Sequence, residues 1–452
     1  MSDDILQKKA TLVRAWCLRS TSRAGSGHPT SCLSSADIMT VLFDEYFSYD
    51  IKNPQDLQND RIIFSKGHAA PLLYTLFALS NAFSPEELLT LRKFGSRLEG
   101  HPTPEFSFAD IATGSLGQGL SIGAGIALSA KKDTRTLRTF VLMGDGELAE
   151  GSVWEAANFS SYYKLDNLIA ILDINKFGQS QQTMFGAEVL EYEKRFSSFG
   201  WETYVIDGHN FDEIKQAFEK AVHNKSGKPF VIIAKTIKGK GVSQIADKEN
   251  WHGKALSKDQ LPAALLELGD INEKLRFKLK IPALPAVIAD SDPQSPKSEP
   301  REIPGQAVRR PELTAEWARD DKYRVGEEIA TREVYGRVLA QLGESNENIF
   351  VLDGDVKNST FAQDFKKIFP IRFVECFIAE QNMVGVALGL SRQGKIPFVS
   401  TFAAFFTRAF DQIRMSALSK ANIKFVGSHA GVSIGEDGGS QMGLEDIAMF
   451  GA

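Results

Sequence analysis

Residues 139–175 read TFVLMGDGELAEGSVWEAANFSSYYKLDNLIAILDIN, and this stretch decides the fold. An apolar run ends in Gly144-Asp145-Gly146-Glu147, a helical segment follows, and a second apolar run ends in Asn175. Short continuous apolar runs separated by an amphipathic helix are the pattern of buried parallel strands joined by a covering crossover. Further runs at Trp201–Asp207 (WETYVID) and Pro229–Lys235 (PFVIIAK) extend the alternation. In a doubly wound sheet ligands bind at the carboxyl ends of strands, so Asp145 and Asn175 are expected side by side in one crevice. A carboxylate and an amide oxygen are hard ligands suited to Mg²⁺, which takes further oxygens from water or a diphosphate.

Outward from this unit, residues 281–313 change to IPALPAVIADSDPQSPKSEPREIPGQAVRRPEL, dense in Pro, Ser and charge and without periodicity. That composition is a linker. Beyond it the alternation resumes, with a helix expected near Gly326–Leu342 and apolar runs NIFVLDGD, RFVECFIA, IPFVST and IKFVGSH. The sequence therefore predicts two α/β domains in tandem, each a doubly wound parallel sheet, over residues 1–280 and 314–452. With about four strands before Ala452, the second domain reads as incomplete.

Bulk composition is that of a globular protein: 452 residues, 43% apolar and 24% charged, with 57 acidic against 52 basic side chains. Neither nucleic acid nor a membrane surface is indicated as a partner by so small an imbalance. The N-terminus is charged from the start and no apolar run approaches the length of a bilayer span. Cys17, Cys32 and Cys376 are scattered and lack a CxxC spacing, which fits a reducing compartment and a cytosolic protein.

Four histidines stand in polar or Gly/Pro-rich surroundings: His28 in RAGSGHPTS, His68 in SKGHAAP, His101 in EGHPTPEF and His252 in ENWHGK. Such placement points to a polar cluster rather than to apolar helix faces. GDG followed one crossover later by Asn is the metal-diphosphate motif of thiamine diphosphate enzymes. Taken with RAGSGHPTSCLSSADIMTVLF (23–43), RIIFSKGHAAPLLY (61–74), EGHPTPEF (99–106) and TGSLGQGLSIGAGIA (113–127), in that order, the chain resembles transketolases. The resemblance runs from about residue 11 to the end and thins only in the linker.

This resemblance implies thiamine diphosphate held by a divalent ion, Mg²⁺ or another such as Ca²⁺ or Mn²⁺, on Asp145, Asn175 and the backbone carbonyl of Phe177. Ser31, His68, Gly114, Ser115, Leu116, Gly146 and Lys238 match positions beside the cofactor. For Lys238, in TIKGKGV, a solvated charge run is the competing reading. His28 and His252 match residues that contact substrate hydroxyls and shuttle protons, and His101 one that acts near the donor carbonyl.

In the second domain, Glu380 matches the acid that protonates the aminopyrimidine ring. It opens an apolar helix, surroundings expected to favour its neutral form. Phe402 and Phe405 match aromatic walls for that ring, although such phenylalanines commonly serve core packing. Arg332, Ser359 and His429 match phosphate-binding positions and Asp437 a hydroxyl-reading one. Gln441 stands where microbial members carry histidine, as in animal-type members.

The resemblance further implies a homodimer with each site between two chains. It implies reversible transfer of a two-carbon ketol unit from a ketose phosphate, such as xylulose 5-phosphate, to an aldose phosphate, such as ribose 5-phosphate. Competing readings are 1-deoxyxylulose 5-phosphate synthase, dihydroxyacetone synthase, and a non-catalytic binding or regulatory protein of transketolase type.

Overall fold

The computed structural model describes residues 2–282, 326–432 and 434–451, so most of the predicted linker at 281–313 lies outside the described residues. Five parallel strands make the first sheet: β1 (Arg61–Phe64), β2 (Thr139–Gly144), β3 (Leu168–Ile174), β4 (Glu202–Asp207) and β5 (Phe230–Lys235), in the order β1-β2-β3-β5-β4. β2 and β3 are buried along their whole length, which is why both read as unbroken apolar runs. β1 was not among the predicted strands, because its four residues start with arginine and merge into a glycine-rich loop.

Helices cover both faces of this sheet. On one, the long Asp3–Ala24 helix starts with Asp3 and Asp4 against its positive end. It closes on Gly25, whose φ of 67° is the left-handed conformation that suits a helix stop. Its core partners include Phe43, Phe77, Phe140 and Ile232. The opposite face, lined by Val141, Met143, Leu172 and Ile233, packs into a core shared with Leu352, Val374, Met383 and Val386 of the second domain.

That second domain has four parallel strands, β6 (Ile349–Asp353), β7 (Phe373–Glu375), β8 (Ile396–Phe402) and β9 (Lys424–Ser428), in the order β7-β6-β8-β9. The helix expected at 326–342 begins later, at Thr331, after an extended Ala330, and runs to Ser345. RFVECFIA yields only a three-residue strand, because Phe377 turns to a φ of 58° and swings the chain toward Glu380.

Two helices form the joint between the domains, Gly119–Lys132 of the first and Glu380–Ser391 of the second. They meet backbone to backbone. A Cβ at Gly125 would run into the carbonyl oxygen of Val386, and one at Gly389 into that of Ile122. Gly385 faces Ser121 just as closely. Only glycine permits this approach.

Candidate functional site

The register of β2 against β3 pairs Gly144 with Asp173, so Asp145 and Asn175 emerge at neighbouring strand ends. Asp145 is 5% exposed. Burial, reinforced by the negative charge of Asp173, pushes its carboxyl up to about 7. Its Oδ1 accepts from the Gly146 amide at 2.9 Å. Asn175 donates its amide NH₂ to Asp173 Oδ2 at 3.0 Å, and its Oδ1 accepts from the Phe177 amide at 3.3 Å.

Beneath the pair lies a fully buried ion pair of Lys66 with Asp173. Lys66 Nζ also donates to the Ser31 carbonyl at 2.9 Å and to Ser35 Oγ at 2.8 Å, while Asp173 accepts from Ser34 and Thr236. Burial alone would raise the Asp173 carboxyl, but the Lys66 charge and these donated bonds outweigh it and hold the group at about 2.

Four histidines from four separate loops converge above these strand ends. Ring centroids lie 5.2 Å apart for His28 and His68, 6.1 Å for His28 and His101, 5.0 Å for His28 and His252, and 5.1 Å for His68 and His252. Burial, then neighbouring charge, lowers all four: His28 to about 4, His252 to about 3, and His68 and His101 by direction. At neutral pH the cluster is therefore uncharged, and each ring offers one donor and one acceptor.

Lys238 fixes one tautomer. Its ammonium donates to His252 Nδ1 at 2.9 Å, leaving the proton of that ring on Nε2. The solvated reading of Lys238 does not hold, since the side chain is 2% exposed and burial lowers it to about 8. The same ammonium donates to the Phe177 carbonyl at 2.7 Å and to that of Gly178 at 3.1 Å. The backbone oxygen expected to serve a metal thus accepts from a lysine.

Gly114, at φ 136°, passes so near His101 that a Cβ would lie 2.9 Å from the imidazole. Ser115 bonds to Asp411 of the second domain, and Leu116 is exposed. Gly146 is open, its nearest would-be contact being a Thr183 methyl at 3.6 Å.

The second-domain residues form their own strip. Glu380 is buried, yet the apolar surroundings expected for it are not what it has, because Arg408 donates to its Oε1 at 2.9 Å. Arg408 lies over Phe405, which stacks on Phe402 at 4.9 Å and 8°. His429 follows at 4.0 Å from Phe402, and Arg332 Nη1 lies 2.6 Å from His429 Nε2. Ser359 sits on the short Lys357–Thr360 turn with no bond from its hydroxyl to Arg332 or His429. Asp437 is exposed and Gln441 half-buried, on the two turns after His429.

Among the described residues, no hydrogen bond, ion pair or ring contact joins this strip to the four histidines or to Asp145 and Asn175. Nor does any group of three or more His, Cys, Asp or Glu side chains there gather as a metal site. No helix there is long and apolar enough to cross a membrane.

Three residues of this region escaped the sequence reading, namely Lys66, Asp173 and Glu147. The first two are 107 positions apart, so no local pattern announces their pairing.

Residues 5–290 match the transketolase thiamine diphosphate-binding domain, and residues 327–452 match the transketolase pyrimidine-binding domain. The chain is 49% identical over 447 residues to transketolase of Homo sapiens, covering 98% of this chain and 68% of that one. It is 50% identical over 448 residues to transketolase-like protein 2 of Mus musculus, covering 99% and 68%. The crystal structure of transketolase from Campylobacter jejuni superposes with a TM-score of 0.80 at 28% identity, over 100% of this chain and 73% of that one. Two domain matches in tandem, near-half identity along almost the whole chain, and strand ends that carry Asp145 and Asn175 together establish that the chain belongs to the transketolase family.

Proposed function

We propose that this chain acts as a thiamine diphosphate- and Mg²⁺-dependent ketol transferase. It would move a two-carbon unit reversibly from a ketose phosphate of the xylulose 5-phosphate type to an aldose phosphate of the ribose 5-phosphate type. The observation that carries this reading is the buried Asp145–Asn175 pair at adjacent strand ends, beneath four uncharged histidines. A divalent ion suits that crevice chemically. It brings to Asp145 more positive charge than Lys238 alone supplies to a buried carboxylate beside Asp173, and Asn175 adds a hard oxygen.

Asp145, Asn175 and the Phe177 carbonyl would hold the metal, the last once the Lys238 ammonium turns aside. Ser31, His68, Gly114, Ser115, Leu116, Gly146, His252 and Lys238 would line the cofactor. Bound thiamine diphosphate supplies a carbon nucleophile and an electron sink for cleaving the bond next to a ketose carbonyl. Glu380, once its Arg408 partner turns aside, would face the pyrimidine as its proton donor, with Phe402 and Phe405 as its stacking wall and Gln441 alongside. His28 and His252 would hold sugar hydroxyls and shuttle protons, and His101 would act near the donor carbonyl, tasks suited to neutral imidazoles. Arg332, Ser359 and His429 would bind the substrate phosphate, and Asp437 a hydroxyl.

A homodimer follows from the separation of the two groups of residues within one chain, since a second copy brings the Glu380 strip to the histidine cluster. Free, buried cysteines support a cytosolic location.

The test is calorimetry and a coupled assay of the purified chain. Thiamine diphosphate should bind only with Mg²⁺, chelation should release it, and pentose phosphates should be converted. Metal-independent binding would overturn the role of Asp145 and Asn175. Binding without ketol transfer would favour the regulatory reading, and turnover with pyruvate as donor would favour a deoxyxylulose 5-phosphate synthase.

A further inference from the structure

Glu147 directly follows the GDG turn, is 1% exposed, and has no task in the chemistry above. Three groups from three segments donate to its carboxylate. Oε1 accepts from Ser65 Oγ, at the end of β1, and from the Gly117 amide at 2.9 Å. Oε2 accepts from the Gly144 amide, at the end of β2, at 3.2 Å. Ser65 Oγ in turn accepts from the Gly119 amide at 3.0 Å.

Gly117 is gripped on its other side too. Its carbonyl accepts from Ser152 Oγ at 2.9 Å, and at φ 83° an added Cβ would lie 2.6 Å from Glu150 Cβ. Upstream, the Thr113 amide donates to the Pro102 carbonyl at 3.1 Å. Gly114, Ser115 and Leu116 therefore span a short bridge with pinned ends.

We infer that Glu147 is a positioning residue that ties the 113–119 loop to the ends of β1 and β2 and so sets how Gly114, Ser115 and Leu116 are presented to thiamine diphosphate. The inference rests on the function proposed above for its ligand, but the tie itself is a property of the free protein. Replacing the carboxylate by an amide keeps size and shape. It puts an NH₂ group against donors, because all three neighbours present hydrogens to the two oxygens.

Glu147→Gln should therefore keep a cooperative fold, speed hydrogen exchange in peptides covering 113–119, and weaken thiamine diphosphate binding by roughly tenfold or more, the scale typical of lost supporting contacts. Sugar-phosphate KM at saturating cofactor should stay unchanged. Ser152→Ala, which frees only the Gly117 carbonyl, should act in the same direction and more weakly, and it carries the test should Glu147→Gln not fold.

Unchanged exchange over 113–119 in a folded Glu147→Gln would overturn the tie. So would cofactor affinity that stays native in both variants, or that falls only in step with thermal stability. Exchange is read without ligand. A wild-type chain that binds no thiamine diphosphate would sink the proposed function, while the exchange arm still decides for or against the tie.

Discussion

His28 and His252 show how burial sets chemistry at single residues. Both are partly buried in the cluster with Lys238 or Arg92 near, and both fall below their ordinary value of 6.5, to about 4 and about 3. In the unfolded chain the same rings take up protons at the ordinary value. From pH 6.5 down to about 4 for His28 and about 3 for His252 the unfolded state thus binds more protons, so the contribution of these rings to stability is full above 6.5 and is lost as pH falls through that window. The melting temperature should drop from pH 7 to pH 4, and less steeply in His28→Asn. A parallel drop in wild type and variant would show that the ring is not held neutral by the fold.

At the scale of elements, the helix pair Gly119–Lys132 and Glu380–Ser391 makes the sharpest stability prediction. Gly389→Ala places a methyl against the Ile122 carbonyl, with the Ile126 amide at 2.8 Å, so neither backbone can yield without moving a domain. Overpacking of this kind costs about 1–3 kcal/mol or more. Thermal unfolding should shift down by several degrees in Gly389→Ala, whereas Gly394→Ala, with nothing within 4 Å, should feel only its left-handed φ of 78°. The seam was not legible beforehand, since GAGIA and VALGL read as ordinary apolar helix. The strands were legible because burial on both faces writes itself into continuous Val, Ile and Leu runs, as at β2, β3 and β5. β1 and the abrupt end of β7 at Glu375 were not, since a single left-handed residue at Phe377 leaves no periodic trace. At the site, Asp145 and Asn175 could be placed by the strand-end rule, and the histidines by their loops. Glu147 and the Lys66–Asp173 pair could not, because their partners are brought together only by the sheet.

For the whole molecule, the separation of the two half-sites predicts complementation. Asp145→Ala disables one half and Glu380→Gln the other, and each variant alone should be inactive. Mixed and allowed to exchange subunits, they should form hybrids of the proposed dimer in which one site has both halves intact, so activity should return to roughly a quarter of wild type. No recovery, with exchange verified by mass, would mean that each chain builds its site alone.

The glycine joint carries a last consequence for motion. A hinge needs side chains that slide or a linker that bends, and here two main chains interlock with nothing compressible between them. Clamping of one lobe onto the other within a chain, a common way for α/β enzymes to enclose a reactant, would have to pull this backbone contact apart. Under the proposed function, admission and release of sugars would then fall to surface segments such as the stretch 178–187, where Thr183 bonds to Asp145, and the turns after His429.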